Sequence, residues 1–130
     1  MKIGTKNVDS KLELLKMIKE GINPLSYVKE EKDIDLISSS IIIEGNDEDS
    51  YYEETAEIVF KSILYYVLFT ESEEKTLGRC KEIAKIEMEK IKKMVAGEER
   101  ANALFKPVEI ATEKTAKEVF KKLNERLSKI

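Results

Sequence analysis

The sequence has no histidine and no tryptophan, a single cysteine, two prolines and five glycines among its 130 residues. Each shortage removes a class of function. Without histidine the commonest general base and metal ligand is missing. Cys80 stands alone, so neither an intramolecular disulfide nor a thiolate metal cluster can form, which fits a reducing compartment. The longest apolar stretch, 58–69, is interrupted by Lys61 and Ser62 and falls short of the roughly 20 residues that cross a bilayer. Met1-Lys2-Ile3-Gly4-Thr5-Lys6 offers no apolar core of signal-peptide kind. No Gly-x-x-x-x-Gly-Lys-Ser/Thr loop is present to cradle a triphosphate. The expectation is a soluble, cytoplasmic chain that is not an enzyme and uses neither cofactor nor metal.

What is present points to helices. Hydrophobic residues make up 42% and charged residues 38% of the chain, too apolar for disorder and too short of turn residues for a β-rich fold. Ile41-Ile42-Ile43 is the one β-branched run, and it closes a helical pattern. The length suits one domain with a real core. The fold class expected is all-α, a compact bundle of about five to six helices around one long central helix.

Charge is unevenly spread around the net of −3. Residues 29–75 carry 4 basic and 14 acidic side chains, whereas residues 76–130 carry 14 basic and 9 acidic. An acidic middle followed by a basic half reads either as ordinary solvated helix faces or as a two-signed binding surface.

Along the chain, Ser10 and Glu13 form a capping box, and Leu12, Leu15 and Ile18 repeat at helical spacing until Gly21. Pro24 fixes its own φ and biases Asn23 away from the α region, giving an extended lead-in over 23–27 that delivers Tyr27. A helix is expected over about 30–43, with Ile34, Ile37 and Ile41 on one face, then an acidic loop over 44–49. A second capping box, Ser50 with Glu53, opens the strongest helix. Its stripe is Tyr52, Ala56, Val59, Phe60, Ile63, Leu64, Val67 and Leu68. Leu77, Cys80, Ala84, Met88, Ile91 and Val95 lie near heptad spacing and predict one long helix over about 75–95. Gly97 ends it, a short helix over 98–106 breaks at Pro107, and a last helix over about 108–128 buries Ala116, Phe120, Leu123 and Leu127.

Few residues invite chemistry. Glu53, Glu54 and Glu57 read as a solvated acidic first turn favoured by the helix dipole, since a di-iron site would need Glu-x-x-His pairs. Cys80 sits at an apolar position and reads as an inert buried thiol. Of Tyr51, Tyr52, Tyr65 and Tyr66, core packing accounts for most, and Tyr51 is the exposed aromatic that could stack on a base. Lys114, Lys117 and Lys121 recur at i, i+3 and i+7, with Lys122 and Arg126 nearby. Such a face could track a phosphate backbone or an acidic protein, or be a soluble surface laced by Glu113–Lys117 and Glu118–Lys122 pairs. Asp47, Glu48 and Asp49 are the matching acidic candidates for a basic partner.

The run Ile22-Asn23-Pro24-Leu25-Ser26-Tyr27-Val28, followed by Lys32-Asp33-Ile34, resembles the segment that leads into the all-α domain of type IV coupling proteins, the TraG/TraD-like ATPases of conjugation and type IV secretion. Asp49-Ser50-Tyr51-Tyr52-Glu53-Glu54-Thr55-Ala56 is similar to that family's "DPFWEKAE" helix start, and Ile63-Leu64-Tyr65-Tyr66-Val67-Leu68 to its "ALIFYL" continuation. Glu113-Lys114-Thr115-Ala116-Lys117 resembles "GKTAK", with Glu113 in place of Gly, and Leu123 to Leu127 follows as "L-x-x-R-L" does there. Pro107 interrupts what the family keeps helical, and 72–100 match poorly.

The resemblance implies a division into an N-terminal helix and linker, 1–21, and an all-α substrate-recognition domain, 22–130, separate from the hexameric motor. It implies DNA, single- or double-stranded, and a relaxase or accessory relaxosome protein as partners, with the rest of the coupling ATPase in the intact protein. The isolated chain is expected to be monomeric. A stand-alone helical DNA-binding protein is the alternative that the basic half allows.

Overall fold

The computed structural model describes residues 1–45 and 50–130, so Asp47, Glu48 and Asp49 lie outside the described residues. Among the described residues there are seven α-helices: α1 (Lys11–Lys19), α2 (Glu31–Ile42), α3 (Ser50–Phe69), α4 (Leu77–Ala84), α5 (Met88–Val95), α6 (Glu99–Glu109) and α7 (Glu113–Leu127). A two-residue antiparallel hairpin, β1 (Lys2–Ile3) with β2 (Lys6–Asn7), precedes them, turning at Gly4 with φ +65°. The all-α expectation holds. Seven helices replace the expected five to six, chiefly because one long pattern is cut in two.

The central element is α3, 20 residues long and buried on several sides, with 62–67 continuously inside. It packs against α2, α4, α5, α6 and α7. Ala56, Val59, Phe60, Ile63, Leu64 and Val67 are fully enclosed, as the apolar stripe requires. Ser62 resolves its burial by donating to the Ala101 carbonyl at 2.6 Å.

Half of the capping box expected at the start of α1 is present: Ser10 Oγ accepts from the Glu13 amide at 3.2 Å, while the Glu13 carboxylate accepts from the Ser10 hydroxyl and not from its backbone N–H. The predicted face is only partly right: Leu15 and Ile18 pack against the core without being fully buried. Leu14 is the residue fully buried, while Leu12 stands 80% exposed. Ile3, Val8 and Leu14 join the same core as the residues beyond 22.

The lead-in over 23–27 is not extended throughout. Pro24–Tyr27 forms a 3₁₀ turn with Pro at its first position, where a fixed φ and a missing N–H suit a helical start. Asn23 caps it, accepting from the Leu25 amide at 3.3 Å and donating to the Lys75 carbonyl at 2.8 Å. The α2 start is held by Asp33, whose carboxylate accepts the amides of Lys29 (2.9 Å) and Glu30 (3.1 Å).

The pattern over 75–95 breaks into α4 and α5. Asn124 of α7 donates to the Ala84 carbonyl at 3.0 Å, taking up a helix-end acceptor, and the Lys85 and Ile86 amides turn back to Glu82 and Ile83. Each half then packs where it fits, α4 on α3 and α7, α5 on α6 and α3. Conversely, α6 runs straight through Pro107. Its ring is exposed and lies two residues before the helix end, so the lost hydrogen bond faces water. The last helix therefore starts later than expected, at Glu113, capped by Thr112 whose Oγ1 accepts the Thr115 amide at 3.2 Å. Burial pushes the Cys80 thiol up to about 12, so it is protonated and inert at neutral pH.

Candidate functional site

The sequence-predicted cations sit on α7, and the inner face of that helix decides where they point. Ala116, Val119, Leu123 and Leu127 are buried against α3 and its neighbours, and the Phe120 and Phe105 rings lie 6.4 Å apart. At about 100° per residue, Lys114, Lys117 and Lys121 fall within an arc of about 60° that faces away from Leu123. All three are exposed. Lys117 reaches Glu113 at 3.4 Å, the one predicted surface pair that forms; both side chains are well solvated, so it contributes little. Lys114 and Lys121 make no ion pair with a described residue. Among the described residues Lys122 approaches Glu125, at 3.9 Å, rather than Glu118, and it is largely covered.

Arg126 does not stand beside these lysines. It is 4% exposed, and its guanidinium donates to Glu53 Oε2 at 2.7 Å and, through Nε, to the Ile42 carbonyl at 3.1 Å. Glu44 takes another edge at 3.1 Å. Arg126 thus joins α7 to α2 and α3 from inside. Glu53, read as part of a solvated acidic turn, is 3% exposed and is the buried partner of this pair. Lys129, hydrogen-bonded to Glu44, and then Arg126 hold the Glu44 carboxyl below the usual carboxylate range. With its folded pKa depressed, Glu44 contributes stability at neutral pH that is lost as the pH falls through the carboxylate range.

Tyr51 is 59% exposed and meets Tyr52 edge to face, ring centroids 5.6 Å apart. Tyr52, expected in the core stripe, is half-buried. It lines a shallow depression of about 140 Å³ together with Lys121 and Lys122, with Glu118 and Glu125 on the same border. The start of α3 and the middle of α7 therefore bring Tyr52 next to two lysines, with Tyr51 against its ring, a juxtaposition that sequence spacing alone does not reveal. Tyr65 and Tyr66 are buried, as core packing requires.

No group of three or more Cys, Asp or Glu residues suited to a metal ion occurs among the described residues. No helix among them is long and apolar enough to cross a membrane. A family model described as type IV secretion-system coupling protein DNA-binding domain matches residues 22–130. No curated protein and no solved structure matches the chain.

Proposed function

The chain belongs to the type IV secretion-system coupling protein DNA-binding domain family, and from that premise we propose that its α7 lysine face holds the backbone of transferred DNA as a single strand. The observation that carries the proposal is the arc of Lys114, Lys117 and Lys121, exposed on a helix fixed from inside, continuing past Lys121 to the Tyr52–Tyr51 pair. Lysines release counterions from phosphates without reading sequence. Aromatic faces beside them suit unpaired bases, which duplex DNA keeps stacked within itself.

In this reading the domain works at the cytoplasmic face of the membrane next to the hexameric motor of the intact coupling protein. It receives a strand whose end is carried by a relaxase or an accessory relaxosome protein. The acidic residues Asp47, Glu48 and Asp49 supply the opposite sign for a basic region of that protein.

The test is fluorescence anisotropy with a labelled oligo-dT. The triple change Lys114→Glu, Lys117→Glu and Lys121→Glu should weaken binding by at least about tenfold while the helical circular dichroism stays unchanged, because all three side chains are exposed and their one ion pair with a described residue, Lys117 with Glu113, is solvated. Tyr51→Ala should weaken binding less, and preferentially for single-stranded over duplex DNA. Unaltered affinity in the lysine variant would sink the proposal.

A further inference from the structure

Away from that face, α1, the end of α2 and the end of α7 enclose a groove of about 400 Å³. Leu15, Ile41 and Ile130 line it, and Leu12 stands at its side, 80% exposed. While Leu14 enters the core, Leu12, Leu15, Lys16 and Lys19 follow one another at i, i+3, i+4 and i+7 along the stripe of α1 that borders the groove. That stripe is amphipathic: Leu15 is partly buried against the core, while Leu12, Lys16 and Lys19 are exposed.

The rim is basic. Lys11 donates to the Ile43 carbonyl. Glu44, the one carboxylate side chain lining the groove among the described residues, is already engaged by Lys129 at 2.6 Å and Arg126 at 3.1 Å. Lys16 and Lys19 are exposed and make no ion pair with a described residue. Ser40 also lines the groove, is 2% exposed, and its Oγ has no hydrogen-bond partner among the described residues. A shielded hydroxyl left unpaired is costly, and a ligand that reaches the floor would offer it a partner.

From this combination we infer that the groove docks an acidic protein segment whose apolar side chain rests on Leu12, Leu15 and Ile41 while its carboxylates meet Lys16 and Lys19. Charge complementarity gives the sign of the partner. The apolar floor decides its class: a phosphate backbone carries nothing to cover Leu12 and Leu15, whereas a peptide with one buried anchor does. The α1 wall lies before residue 22, where the family match begins, so this partner is selected by a part of the chain outside that match. The inference does not depend on the DNA reading of the α7 face.

The probe is a fluorescein-labelled peptide of glutamates with leucines at helical spacing, compared with the same peptide carrying serine for leucine and with oligo-dT. The whole chain should bind the glutamate–leucine peptide, and the serine version about tenfold or more weakly. Lys16→Glu with Lys19→Glu, and separately Leu12→Ser, should each reduce binding of the leucine peptide by about tenfold. Neither should shift the thermal midpoint, since all three side chains are exposed. Oligo-dT binding should be unchanged in Leu12→Ser. Equal affinity for the two peptides, or unaffected variants, would make the groove mere solvated surface. Loss of oligo-dT with peptide binding intact would reassign it to nucleic acid.

Discussion

Replacing Glu53 by Ala is expected to cost about 3–5 kcal/mol of folding stability, because it strands a guanidinium inside the fold. The two charged side chains are about 95% covered and 2.7 Å apart. Without Glu53, Arg126 keeps the Ile42 carbonyl and two partly solvated carboxylates, Glu44 at 3.1 Å and Glu125 at 3.5 Å. A domain of this size has about 5–15 kcal/mol in hand, so the variant should unfold at much lower urea and be marginal near body temperature. Removing both partners is the informative contrast. Glu53→Leu with Arg126→Leu leaves no charge behind and should recover most of the loss, short of about 1–3 kcal/mol for the orphaned Ile42 carbonyl. A single-variant loss under about 1 kcal/mol in urea titrations followed by circular dichroism would place the pair at the surface instead.

Ile63→Ala and Leu64→Ala should each destabilise by about 2–5 kcal/mol. Both side chains are fully buried in the middle of α3, and that helix contacts five others. Truncation leaves a void that the surroundings cannot close, since collapse would have to move several helices together. Leu12→Ala offers the internal control. It removes a side chain of similar size from an exposed position and should change stability by less than about 0.5 kcal/mol. Small losses at both core positions would show that α3 is not the element around which the others assemble.

Those two positions were readable without coordinates, because α3 places an apolar residue on its inward side at every turn. Helical arithmetic carries further than composition does. Glu53 lies seven residues before Phe60 and eleven before Leu64, on the same side of α3, so its burial has a sequence signature even though its charge argues for water. Arg126 likewise falls within about 20° of Val119 on α7, and only its chemical likeness to the neighbouring lysines suggests a surface role.

Other features had no local signature. The spacing of Leu77, Ala84, Met88 and Val95 continues smoothly through the α4–α5 break, which depends on Asn124 reaching the Ala84 carbonyl from 40 residues away. Pro107 reads as a helix breaker but sits near a helix end with its ring in solvent, where the penalty is small. Among the site residues, the exposed arc of Lys114, Lys117 and Lys121 follows from periodicity. The approach of Tyr52 to Lys121 does not, because it depends on how α3 and α7 cross. The groove beside α1 was equally hidden: Leu12 and Leu15 read as a core stripe, and only the structure shows Leu15 half-buried against the core while Leu12 is left in solvent.

The central claim is that the α7 lysine face carries the contact with DNA, and the salt dependence of binding tests it most directly. Affinity for oligo-dT should be measured across a range of salt concentrations for the parent and for Lys114→Gln, Lys117→Gln, Lys121→Gln. Each phosphate neutralised on a single strand contributes about −0.7 to the slope of log affinity against log salt. If all three lysines contact phosphates, the variant's slope should be shallower by about 2. A slope equal to the parent's, whatever the change in affinity at one salt concentration, would contradict the account and move the DNA contact off α7.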